Sequence, residues 1–160
     1  MVSYDRRQQP SHQPVNGSRR YRRVRREQEW IMRVLLADND SRICTALSLL
    51  LKSHSTLVVA GESPDVDALI RQAKALAPDL ILLDWELPGT PDAALLERLR
   101  RTSPRPWVIA LSGKPESERD ALTAGADAFV SKADPPERLL SALDDLIGKQ
   151  THTAELSAKG

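Results

Sequence analysis

The sequence predicts one α/β domain, a doubly wound sheet of five parallel strands. Three observations predict it. Five short apolar runs alternate with five segments of helical periodicity. The apolar runs are continuous, as in strands covered on both faces. Each pair of runs is separated by enough chain for a helical crossover, which parallel strands require.

Residues 1–29 are rich in Arg, Gln, Ser and Pro and nearly free of aliphatic residues. Such a segment cannot bury enough apolar surface to offset its ordering entropy, so residues 1–31 are expected to form a disordered basic tail. Arg33-Val-Leu-Leu-Ala37 then reads as a buried strand, and Asp38-Asn39-Asp40-Ser41 as a loop carrying helix N-cap residues. Ile43, Ala46, Leu47, Leu50 and Leu51 recur at helical spacing, predicting a helix near 41–53. Thr56–Ala60 is a second strand, closed by Gly61. A helix near 65–77 carries Leu69, Ile70, Ala73 and Leu76 on one face. Leu80–Leu83 is a third strand, ending at Asp84, and Leu87-Pro88-Gly89 breaks the chain. Leu95, Leu96 and Leu99 mark the third helix. Trp107–Leu111 is a fourth strand, ending in Ser112-Gly113. A more polar helix near 115–124 stops at Gly125. Ala126–Val130 is the fifth strand, followed by Ser131-Lys132. Pro135 and Pro136 open a last helix with an apolar stripe of Leu139, Leu140, Leu143 and Ile147. The domain is thus expected over 32–148, with a frayed tail over 149–160.

Composition narrows the function. The chain has 160 residues, 41% hydrophobic and 28% charged, which fits one globular domain plus tails. Cys44 is the sole cysteine, so an intrachain disulfide and a cysteine-built zinc site are excluded. His12, His54 and His152 are scattered. No stretch approaches the roughly 18 apolar residues of a membrane span, and the charged N-terminus lacks the apolar core of a secretory signal. A cytoplasmic location is expected. Residues 1–31 hold eight arginines against three acids, a formal +5, leaving the remainder at −4 in a chain that is +1 overall.

An open parallel sheet places its working site at the carboxyl ends of its strands. There the sequence sets Asp38, Asn39 and Asp40 after strand 1, Asp84 at the end of strand 3, Ser112 at the end of strand 4 and Lys132 after strand 5. A carboxylate cluster suits a hard cation, and Mg²⁺ takes one or two carboxylates with several waters. An ammonium and a hydroxyl beside it complete a pocket for a phosphoryl group, whose transfer needs positioning and charge neutralisation.

Four segments carry a resemblance: Leu-Leu-Ala-Asp38-Asn-Asp40; Pro78-Asp-Leu-Ile-Leu-Leu-Asp84-Trp-Glu-Leu-Pro88-Gly89; Val-Ile-Ala-Leu-Ser112-Gly; and Gly125-Ala-Asp-Ala-Phe129-Val-Ser-Lys132. Together they resemble the response-regulator receiver domain of two-component signalling, over about 115 residues covering all five βα units. The resemblance implies a flavodoxin-like sheet of strand order 2-1-3-4-5. It implies Asp84 as phosphoacceptor toward a sensor histidine kinase or phosphotransfer protein, and Mg²⁺ as cofactor. The implied ligands are Asp38, Asp84 and the backbone carbonyl of Glu86. It further implies that Ser112 turns toward the attached phosphoryl group, that Lys132 pairs with a phosphoryl oxygen, and that Phe129 is the switch aromatic. Output is implied on helix 4, strand 5 and helix 5, through a downstream protein or a homodimer.

Two departures stand out. The family usually has a second acid after strand 1, where this chain has Asn39. Its amide oxygen can still ligate, but one negative charge is lost, and weaker Mg²⁺ binding is expected. Ala133 follows Lys132 where the family often has proline after a cis bond. A cis bond to alanine would cost about 2.5–4 kcal/mol, so a trans bond or strain borne elsewhere is expected.

The remaining features have plainer readings. Cys44 is expected to be a small buried hydrophobe, and His54 a surface residue. The run Arg19-Arg-Tyr-Arg-Arg-Val-Arg-Arg26 could contact phosphates, with Tyr21 stacking on a base, but is read as a solvated tail. Met32 directly before strand 1 suggests a natural start there. Only about a dozen residues follow the last helix, too few for a helix-turn-helix module, so a stand-alone receiver is expected. Asn39 supports one rival, a receiver-like interaction module that is not phosphorylated. The arginine tail supports another, a nucleic-acid-binding regulator. Catalysis beyond phosphotransfer to Asp84 and its autodephosphorylation is not expected.

Overall fold

The computed structural model describes residues 22, 23 and 30–158. Five parallel strands, β1 (Trp30–Ala37), β2 (Leu57–Ser63), β3 (Leu80–Asp84), β4 (Trp107–Ser112) and β5 (Ala128–Ser131), lie in the order β2-β1-β3-β4-β5. This is the order the resemblance implied. Five helices connect or follow them: α1 (Ser41–Leu51), α2 (Val66–Leu76), α3 (Ala93–Arg100), α4 (Ser117–Ala124) and α5 (Pro136–Ala158).

Successive residues of a strand face opposite sides of the sheet, which divides the core in two. Leu35, Ala37, Ile81, Leu83, Val108 and Ala110 pack with Leu69 and Ala73 of α2, Leu95, Leu96 and Leu99 of α3 and Ala121 of α4. Val34, Leu36, Leu80, Leu82, Ile109 and Leu111 pack with Cys44 and Leu51 of α1 and Leu139, Leu143 and Leu146 of α5. Leu35, Leu36, Ile81, Leu83 and Ile109 are fully buried, each contributing about 1.5–3 kcal/mol.

Three helices start on aspartate caps. Asp40 accepts from the Arg42 amide at 2.9 Å, Asp65 from Ala68 at 2.7 Å and Asp92 from Leu95 at 2.8 Å. Gly125 ends α4 with φ +116°, a conformation open to glycine. Its carbonyl accepts a 2.7 Å hydrogen bond from Arg100. Asp79, buried just before β3, accepts from the Arg33 amide at 2.7 Å and donates its own amide to the Arg33 carbonyl at 2.8 Å. It thereby sets the stagger of β3 on β1.

Several boundaries differ from the sequence expectation. β1 starts at Trp30 rather than Arg33, and Arg22–Arg23 pair antiparallel with Trp30 and Ile31. Here β1 overhangs β2, whose pairing begins at Met32, and the overhanging backbone groups need partners. This part of the expected tail therefore joins the sheet. The other residues of 1–29, with most of the arginine run, lie outside the described residues. β2 does not close at Gly61 but runs on to Ser63 after an irregularity in its pairing. A side chain at Gly61 would meet Gln72 Oε1 at 2.8 Å and Leu76 Cδ1 at 2.9 Å, so the glycine admits α2 against the strand. β5 begins at Ala128 rather than Ala126; before it, the Asp127 carboxylate accepts from the Val108 amide at 2.9 Å. The expected tail after 148 is helical through Ala158. No proline interrupts that stretch, so the hydrogen-bond ladder of α5 can continue. Among the described residues no helix is long and apolar enough to cross a membrane.

Candidate functional site

The strand register aligns the carboxyl ends. Ala37 pairs with Leu83, Asp84 with Leu111 and Ser112 with Ser131. Asp38, Asp84, Ser112 and Lys132 therefore emerge at one edge. Asp38, Asp84 and Ser112 are all buried.

Lys132 joins the two carboxylates. Its Nζ lies 2.7 Å from Asp38 Oδ2 and 3.2 Å from Asp84 Oδ1. The bond after it is trans, since Ser103–Pro104 is the cis peptide among the described residues. With alanine at position 133 the lysine contacts both carboxylates. The Lys132 amide also donates to the Ser112 carbonyl at 2.8 Å, anchoring the loop to β4. Burial pushes the Asp84 carboxyl above its ordinary range, outweighing the opposing Glu86 amide and Lys132 ammonium. Burial works against the Lys132 ammonium too, but the Asp38 hydrogen bond and the Asp84 charge hold its pKa above the ordinary lysine value.

The loop after β3 supplies further contacts. The Glu86 amide donates to Asp84 Oδ1 at 3.0 Å, fixing the carboxylate. The Glu86 carboxylate accepts from the Ser112 hydroxyl at 2.5 Å, and the Lys114 amide donates to Ser112 Oγ at 2.9 Å. The Trp85 indole N–H donates to Asp120 Oδ2 of α4 at 3.0 Å. Sequence reasoning missed the Glu86 side chain and the Trp85–Asp120 bond, which join residues 26 and 35 positions apart. No local pattern signals them.

The acids after β1 separate. Asp38 Oδ1 accepts from the Asp40 amide at 2.9 Å, which orients it inward. Asn39 is exposed. Asp40 caps α1 and pairs with Arg42 at 3.0 Å, so its carboxylate is committed to α1 and Arg42. The Arg42 hydrogen bond holds Asp40 below the usual carboxylate range. Phe129 is half-buried and packs on the core that includes Ala121 of α4. Cys44 is buried, and burial pushes its thiol up to about 11, as befits a core residue. His54 is part-buried, its Nε2 3.0 Å from Asp144 of α5.

The donor set can be tested against Mg²⁺. Among the described residues no three His, Cys, Asp or Glu side chains group as a metal site. Two buried carboxylates nevertheless converge on one cationic group. That set fits Mg²⁺, which needs only one or two carboxylates and keeps several waters. A zinc or calcium cage does not fit, since each needs more protein ligands.

A family model described as the response regulator receiver domain matches residues 34–144. The nitrate/nitrite response regulator protein NarL of Escherichia coli strain K12 is 36% identical over 112 residues, covering 69% of this chain and 52% of that protein. A protein-glutamate methylesterase/protein-glutamine glutaminase of Halalkalibacterium halodurans is 31% identical over 127 residues, covering 77% of this chain and 37% of its own length. The chain therefore spans about half, or less, of these relatives. Among solved structures, the signal receiver domain of NarL from Mycobacterium tuberculosis superposes with a TM-score of 0.64 at 26% identity, covering 72% of this chain and 95% of that one. A LuxR-family two-component response regulator from Aurantimonas shares the fold with a TM-score of 0.68 at 20% identity, covering 74% and 86%.

Proposed function

Because the chain belongs to the response regulator receiver domain family, we propose that Asp84 accepts a phosphoryl group from a phosphohistidine of a sensor kinase or phosphotransfer protein. The observation that carries this is the meeting of Lys132 with the buried carboxylates of Asp38 and Asp84, beside the buried Ser112 at the end of the neighbouring strand. An Asp84 oxygen attacks phosphorus, the P–N bond to the histidine breaks, and the leaving imidazole keeps the electron pair and takes a proton. The Glu86 amide orients the attacking carboxylate. Lys132 is already at Asp84 and turns to a phosphoryl oxygen as negative charge arrives there. Ser112 donates to another oxygen once it leaves Glu86.

Asp38 and Asp84, with the Asn39 amide oxygen and the Glu86 carbonyl, would hold Mg²⁺. When bound, the ion neutralises charge on the transferring group. Asn39 brings no charge, so binding is weaker than for a site with a second acid there. The signal passes to Phe129 and to the face formed by α4, β5 and α5, where a downstream protein or a second copy docks. The chain acts in the cytoplasm.

A second reading has a specific observation in its favour. Asn39 is neutral and the Asp40 carboxylate is spent on α1 and Arg42, which suits an interaction module that is never phosphorylated. Tryptophan fluorescence separates the two. Trp85 adjoins Asp84, so Mg²⁺ followed by beryllofluoride, a phosphoryl mimic, is expected to change its emission. No response to beryllofluoride or to a small phosphodonor favours the second reading.

A further inference from the structure

The Ser112 hydroxyl carries one proton and therefore donates one hydrogen bond at a time. In this structure that proton goes to the Glu86 carboxylate at 2.5 Å. The oxygen of the same hydroxyl accepts from the Lys114 amide at 2.9 Å. Ser112 is fully buried and is held on both its donor and its acceptor side. It cannot donate to a phosphoryl group on Asp84 while it donates to Glu86. A carboxylate is also a better acceptor than a neutral group, so the bond is one of the stronger kind.

We propose that the Glu86 side chain is a positioning residue that restrains Ser112 in the resting state and thereby sets how readily the phosphorylated state is populated. The inference rests on Asp84 being the phosphoacceptor. Glu86 itself is exposed, so its carboxylate loses little on returning to water. It thus acts as a releasable brake rather than a fixed strut. Its backbone, which holds Asp84 through the amide, is unaffected by side-chain replacement.

The test is beryllofluoride titration of the full chain in Mg²⁺, read by tryptophan emission, for wild type, Glu86→Ala, Glu86→Gln, Ser112→Ala and the Ser112→Ala/Glu86→Ala double variant. Freeing the hydroxyl from a charged acceptor is expected to tighten apparent binding roughly tenfold in Glu86→Ala. Glu86→Gln keeps an acceptor oxygen and is expected to lie nearer wild type, within about threefold, because its bond is weaker but present. In the Ser112→Ala background the alanine at 86 is expected to have no effect, because there is no hydroxyl to release. The proposal is overturned if Glu86→Ala binds no more tightly than wild type. It is equally overturned if the gain persists undiminished without the Ser112 hydroxyl, since simple charge repulsion by Glu86 would then account for it. A wild-type chain that answers neither beryllofluoride nor a phosphodonor removes the phosphoacceptor reading itself, and the restraint with it.

Discussion

Lys132 Nζ stands 2.7 Å from Asp38 Oδ2 and 3.2 Å from Asp84 Oδ1, so one ammonium is shared by two buried carboxylates from different strand ends. Like charges brought together out of water raise each other's proton affinity, and the shared ammonium offsets this. The elevated pKa of Lys132 means that its stabilisation is fully present below the unfolded value of 10.5 and is lost only as pH rises through the folded value.

Replacing Lys132 with methionine leaves the two carboxylates facing each other. The expected loss at neutral pH is about 1–3 kcal/mol, less than for a fully buried pair because 24% of the lysine side chain remains in solvent. Without the ammonium, Asp84 loses a group that lowers its pKa, so its carboxyl is held further above the ordinary value. Stability of the variant therefore rises as pH falls through the folded value of Asp84 toward the unfolded 3.8. Urea unfolding across a pH series checks this; a loss that grows on acidification through that range would be the wrong sign.

Asp84 titrates above its ordinary value because burial outweighs its partners, so the ionised side chain subtracts stability at neutral pH. That cost is present above the folded pKa and fades as pH falls through it toward the unfolded value of 3.8. Asp84→Asn is therefore expected to unfold at a higher midpoint than the wild-type chain. Thermal melts at pH 7.5 read it, and a lowered midpoint would contradict the burial account.

Asp79 fastens β3 to β1 through the Arg33 amide. Asp79→Ala strips that part-buried N–H of its acceptor and is expected to cost about 1–3 kcal/mol. Asp79→Asn, which retains a carbonyl oxygen, is expected to cost less. The ranking is read from urea midpoints.

Gly125→Ala meets two obstacles. The backbone has φ +116°, and the new Cβ would lie 2.2 Å from a nitrogen of Arg100. A loss of about 1–2 kcal/mol from the backbone alone is expected, with more from the displaced guanidinium. Deleting the guanidinium as well, in Arg100→Ala/Gly125→Ala, is expected to return only the steric part.

Much of this was legible in the sequence because it is local. Continuous apolar runs marked the strands, and each functional group stood at the end of a run, so Asp38, Asp84, Ser112 and Lys132 could be placed at one edge before any coordinates. The unread parts depend on distant partners. The start of β1 at Trp30 reflects pairing with Arg22–Arg23. The continuation of β2 past Gly61 rests on its pairing with Leu35, Leu36 and Ala37 of β1 after an irregularity in register. Nothing in the segment around Glu86 points to Ser112, which lies 26 positions away. Asp40 could be seen as a helix cap, but its pairing with Arg42, which commits its charge, emerged only in three dimensions.

Intact-mass measurement after incubation with Mg²⁺ and a small phosphodonor such as acetyl phosphate decides whether Asp84 accepts a phosphoryl group. The wild-type chain is expected to gain one phosphoryl group and Asp84→Asn none. A wild-type chain that gains no mass from either acetyl phosphate or a phosphorylated kinase, or an Asp84→Asn chain that gains as much as wild type, would contradict it.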